Sequence, residues 1–170
     1  MKNVIKAAAV VAFALSVTTT FAQKMGRIQV QEIVMAMPET ATMQTNLEAF
    51  SKDLSDNLET MQVEFNNKLA DYQSNLKNYT ESVRNLKEKE LQDLQTRMQQ
   101  FEQSARQEIQ NKQSELLNPI ITKARDAISK VAAEGGYDVV YDESAGSLAY
   151  VNNATVVDIS PKVKTALGIK

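Results

Sequence analysis

The chain has no cysteine, no histidine and no tryptophan, and it has only five glycines and three prolines in 170 residues. Without cysteine there is no disulfide framework. Without histidine and cysteine, the commonest acid–base, nucleophilic and zinc-binding groups are missing together. Carboxylates alone can catalyse, but only in a pocket that shifts their pKa values, and nothing in this sequence builds one. The reading is therefore not an enzyme, with no catalytic residue, no cofactor and no metal site. Asp138, Asp142 and Glu143 lack the spacing of a calcium loop and read as strand-end and turn acids. Neither sign of charge is in large excess. The 19 basic and 21 acidic residues leave no basic face of the kind nucleic acid requires.

The most telling scarcity is local. No glycine or proline occurs between Pro38 and Pro119, and apolar residues recur through that stretch at helical spacing. Met43, Leu47, Phe50, Leu54, Leu58, Met61, Phe65, Leu69, Tyr72, Leu76 and Tyr79 advance by threes and fours, about 3.6 residues per step, which keeps them on one stripe of a straight α-helix. Leu91, Leu94, Met98, Phe101, Ala105, Ile109, Leu116, Ile120, Ala124, Ile128 and Val131 continue less strictly. A helix so long and so thinly apolar must lie against another helix. Met43, Phe50, Met61, Phe65, Met98 and Phe101 lie on that stripe and read as packing residues. Pro119 falls inside the second series and is expected to kink it.

The chain opens with Lys2 and Lys6, an apolar run over 7–17, and Thr20, Phe21 and Ala22, the three-part pattern of a secretory signal peptide. Residues 1–22 are read as that signal, cleaved after Ala22, which sends the product to the periplasm. Removing Lys2 and Lys6 leaves 17 basic against 21 acidic residues, a mildly acidic product with at most peripheral membrane contact.

Short strand-like segments lie at both ends. Gly26-Arg27-Ile28-Gln29-Val30 reads as one strand with Ile28 and Val30 on the same side, and 32–37 as a helical turn. Gly135 and Gly136 stop the long helix. Beyond them, 137–141, 148–151 and 155–157 are strand-like, and Ser160 with Pro161 begins a closing helix as N-cap and first helical residue. A single rod over 39–134 would be about 140 Å long and would part these strands. A lone strand at Ile28 needs partners, and the other strand candidates all follow Gly136. The helix must therefore turn back. The tip is placed within 77–90, with Asn78 and Asn85 as candidate caps. The fold class is mainly α with a small β body: a long antiparallel helical hairpin (a coiled-coil-like arm, 39–134) inserted in a β-rich oligomerisation body (23–38 and 135–170).

That body is small for an independent core. Ile28, Val30, Val139, Tyr141, Leu148, Tyr150, Val156 and Ile159 are its candidate residues, and sharing the sheet between copies would cover its edges. Val63, off the stripe, and the basic residues Lys77, Arg84, Lys87 and Lys89 are the candidate contacts for a partner along the arm.

In order along the mature chain, Gly26-Arg27-Ile28-Gln29-Val30-Gln31-Glu32-Ile33, Met98-Gln99-Gln100-Phe101-Glu102-Gln103, Pro119-Ile120-Ile121-Thr122-Lys123, Tyr137-Asp138-Val139-Val140-Tyr141-Asp142 and Val157-Asp158-Ile159-Ser160 resemble the Skp/OmpH family of periplasmic chaperones. The resemblance implies a homotrimer whose three arms enclose a cavity. It further implies a holdase that keeps unfolded outer-membrane proteins from aggregating before membrane assembly, without ATP. Well-known members are strongly basic and this chain is not, so a lipopolysaccharide site does not carry over. The alternative reading is a structural, scaffolding coiled-coil protein of the cell envelope.

Overall fold

The computed structural model describes residues 23–146 and 148–169; the signal-peptide reading lies outside them. Strand β1 (Met25–Ile28) leads into helix α1 (Val30–Ala36). Two long helices follow, α2 (Pro38–Asn75) and α3 (Glu81–Gly135), and then β2 (Val139–Asp142), a single 3-10 turn (Glu143–Ala145), β3 (Val156–Asp158) and α4 (Ser160–Ala166). At 1.5 Å per residue, α2 is about 57 Å long and α3 about 82 Å.

The sheet brings the chain ends together. Its order is β2-β1-β3, and both pairings of β1 are parallel, with Gly26 opposite Val140 on one side and Val157 on the other. Parallel neighbours need a long crossover; here the crossover from β1 to β2 is the whole helical region. Gly26 is buried where a Cβ would lie 3.3 Å from Ile159, Tyr137 and Val140, so the central strand packs closely because this position has no side chain.

Ile28, Ile33, Met37, Ile120, Ala124, Val131, Ile159 and Val163 form one buried cluster, with Val30, Val34, Met43, Ala127, Ile128, Tyr137, Val140, Leu167 and Ile169 packed against it. The sheet and short helices therefore close over the roots of α2 and α3. Thr40 is the one buried polar residue among those described, and its hydroxyl donates to the Val34 carbonyl, so its burial leaves no donor unpaired. Away from this core the two long helices lie side by side. Glu39 pairs with Lys123, Lys68 with Glu90, and Tyr72 with Glu88; partner numbers fall along α3 as they rise along α2, so the helices run in opposite directions.

Several local expectations are corrected. Val30 is not a strand residue; it opens α1, because its N–H is taken by Asp142 Oδ1 at 3.2 Å and that of Gln31 by Ser144 Oγ at 3.0 Å. Residues 148–151 form no strand. Ser160 is the first residue of α4 rather than its cap; the cap is Ile159, which makes no side-chain cap bond, and the Ser160 N–H donates to Asp158 Oδ1 at 2.9 Å in a turn that precedes the helix. Asn85 lies inside α3, and the cap at its start is Thr80, whose hydroxyl accepts from the Val83 N–H. The break between the long helices covers 76–80, at the near edge of the range read from sequence. Helix α3 contains Pro119, where the second apolar series places it. It ends where Gly136 adopts φ 64°, a left-handed conformation that suits glycine.

Candidate functional site

Two surfaces offer chemistry: the free end of the helical pair and the outside of the small body. At the free end, no glycine or proline makes the turn; side chains hold it instead. The rings of Tyr72 and Tyr79 stack with centroids 6.3 Å apart. The Tyr79 hydroxyl donates to Asp71 Oδ2 at 3.0 Å and the Tyr72 hydroxyl donates to Glu88. The bond to Glu88 raises the Tyr72 pKa, while burial followed by the bond to Asp71 raises that of Tyr79, so both phenols remain protonated donors. This latch joins the end of α2 to the first turns of α3.

Around it the basic residues are divided. Lys77, Arg84 and Lys89 are exposed, whereas Lys87 lies 3.7 Å from Glu90, which is itself 3.7 Å from Lys68. The structure thus gathers the four cations at one end of the hairpin but draws Lys87 into an internal pair. Val63 is 52% exposed on α2. Two further apolar residues stand out at the tip: Leu86, 56% exposed, and Leu76, 40% exposed. Spacing puts Leu76 on the stripe, but α2 ends at Asn75 and Leu76 falls in the turn that follows. The signal in the sequence is that Leu86 lies between the two apolar series and belongs to neither.

Along the arm, the remaining stripe residues of α2 are partly buried, and so are Leu91, Met98, Phe101, Ala105 and Ile109 on α3. Only Leu94, 1% exposed, is fully covered beyond the root among the described residues.

On the body, Ile28 and Ile159 belong to the chain's own core, so neither presents surface to another molecule. Val30, Tyr141 and Val156 are partly buried. Val139, Val157 and Leu148 are about two-fifths exposed and Tyr150 is 81% exposed. Val30, Val34, Leu117, Ile121, Ile128 and Val140 line an open groove where α1 and β2 meet α3. A polar clasp closes the opposite side. Arg27 reaches both carboxylate oxygens of Glu143 at 3.0 and 3.1 Å, and Lys164 reaches Glu32 at 2.6 Å. Burial pushes the neighbouring Asp158 carboxyl up. The Ser160 hydrogen bonds and the charges of Arg27 and Lys164 outweigh that and hold it below the usual value. These contacts tie β1 to the 3-10 turn and α4 to α1. Among the described residues there is no group of three or more potential metal ligands, and no helix long and apolar enough to cross a membrane.

The family profile described as outer membrane protein (OmpH-like) matches residues 24–167. The chain belongs to the OmpH-like family. Relatives include proteins named chaperone protein Skp from Yersinia enterocolitica, 30% identical over 84% of this chain and 87% of the relative, and from Pectobacterium atrosepticum, 30% identical over 89% and 92%. Among solved structures, an OmpH-like protein from Caulobacter crescentus superposes with a TM-score of 0.74, covering 85% of this chain and 83% of that one at 15% identity. At that identity the likeness concerns the fold. The OmpH-like fold therefore accounts for the element order found here: a strand and short helix, two long helices, then the returning strands.

Proposed function

We propose that the chain is an exported, ATP-independent holdase that keeps unfolded outer-membrane proteins from aggregating in the periplasm. The observation that carries the reading is the long helical pair, whose apolar stripe stays only partly covered while Val63, Leu76 and Leu86 face outward. Many shallow contacts of that kind bind weakly one at a time and strongly together, which suits reversible capture without nucleotide. Family membership and relatives named as chaperones support the same conclusion.

In this reading residues 1–22 are removed, 39–134 form the arm, and 23–38 with 135–170 form an oligomerisation body. Three copies join through that body, so that their arms enclose a cavity. The outer edges of β2 and β3 and the exposed Val139, Leu148, Tyr150 and Val157 support the assembly, since an uncovered strand edge invites pairing with another chain. Lys77, Arg84 and Lys89 would meet acidic segments of a client, with Lys87 restrained by Glu90.

The test is dilution of a urea-unfolded β-barrel protein into buffer containing the mature chain and no nucleotide. Light scattering is expected to fall to baseline near one assembly per client, and Val63→Ser with Leu86→Ser is expected to weaken that protection several-fold. Unchanged aggregation, together with capture of one folded envelope protein instead, would favour a scaffold. Native mass of the assembly gives the copy number.

A further inference from the structure

We propose that the exported chain carries a pyroglutamate at its first residue, Gln23. The inference rests on the removal of residues 1–22 proposed above and adds the chemistry that the cut uncovers. Cleavage after Ala22 leaves Gln23 with a free α-amine and, on the same residue, a carboxamide at the right separation to close a five-membered lactam. The α-nitrogen attacks Cδ, a new C–N bond forms, and the bond from Cδ to Nε2 breaks. The amide nitrogen leaves as ammonia and carries away the proton that the amine loses. Neither an oxidant nor an energy source is required. Holding both partners on one side chain supplies the proximity that makes such closures favourable.

The structure places Gln23 just outside the fastened body, where it is free to undergo this closure. Gln23 is exposed. The next residue is fixed from several directions. The Lys24 N–H donates to Asp138 Oδ2 at 2.8 Å, its carbonyl accepts from the Asp138 N–H at 2.9 Å, and its Nζ donates to the Gly135 carbonyl at 2.5 Å. That same Nζ stands 4.4 Å over the Tyr137 ring. Strand β1 begins one residue later. Gln23 is therefore the one residue between the proposed cut and the fastened body, and its side chain can fold back onto its own amine without breaking a contact that holds β1. Closing the ring removes a positive charge from this edge of the body and denies aminopeptidases the end from which they would otherwise trim into β1.

Intact-mass measurement of undigested protein, taken from the periplasm of its own bacterium, tests the proposal, with the Gln23→Ser variant as the open-ended control. The expected mass is that of residues 23–170 less one ammonia, with Edman sequencing blocked. The serine variant should show its full mass and sequence normally. A chain that starts at Gln23 with its full mass and a reactive amine overturns the cyclisation and leaves the processing reading standing. A chain that starts anywhere else overturns both.

Discussion

The body and the arm use the same kinds of apolar side chain and bury them to very different depths. In the body, three layers meet: the sheet, the short helices α1 and α4, and the roots of α2 and α3. Ile33, Ile159 and Val163 are completely covered there. Along the arm only two cylinders touch, and two cylinders meet along a line, so Leu47, Leu54, Leu58 and Phe65 stay partly open on both flanks. Burial stabilises by roughly 25 cal/mol per Å² of apolar area removed from water. The arm therefore gains less from each residue than the body does, and its free end, held by the tyrosine latch, lies furthest from the shared core. The same chain thus has one region that resists opening and another that keeps apolar surface within reach of partners.

Substitutions that probe the two regions in parallel should separate them. Ile159→Ala, in the body, is expected to cost about 2–5 kcal/mol in urea unfolding, a large share of the stability of a domain this small. Leu58→Ala, on the arm stripe, should cost only about 1 kcal/mol. Equal losses would break the comparison. Leu94→Ala probes the one fully covered arm position among those described; its loss, about 2–3 kcal/mol, should be confined to the distal arm. Amide hydrogen exchange would then accelerate around 65–100 and remain slow in β1 and α4.

Acid should act on the body through Asp158. Its folded pKa lies below the ordinary 3.8, so the folded chain releases that proton more readily than the unfolded one. The resulting stabilisation is complete above the ordinary carboxylate value and is lost as pH falls through the folded pKa. Asp158→Asn is therefore expected to lower Tm near neutrality and to flatten the acid limb, so that the two Tm-against-pH curves converge as pH falls through the folded pKa. The smallest effect is expected on the arm surface. Lys68→Ala removes two exposed contacts, to Glu64 and Glu90, each 3.7 Å long, and should cost less than about 1 kcal/mol; added salt should erase most of the difference.

Much of this architecture is legible in the residues. The step of threes and fours from Met43 to Tyr72 marks a face that proves partly buried throughout, and the glycine pair at Gly135 and Gly136 marks the end of α3. The reasoning that a strand at Ile28 needs partners from beyond Gly136 leads to β2 and β3. The misses have a physical cause, which lies in remote partners or in where a helix ends. Val30 and Gln31 turn helical because Asp142 and Ser144, more than a hundred residues on, accept their N–H groups. Leu76 fits the stripe perfectly well by spacing, yet the helix ends at Asn75. Ile28 and Ile159, read as residues of the body, lie in its core with side chains of α1, α3 and α4 packed around them. The apolar residues that do remain outside, Val139, Leu148 and Tyr150, could not be told apart from them by composition.

The sequence by itself determined a long helical region that had to double back, since hydrophobic period and the absence of helix breakers are local properties. Tertiary structure alone decided which apolar residues became core, where the tip turned and how the strands registered. Each of those depends on hydrogen-bond partners and covering layers that the chain supplies only after its two ends have met.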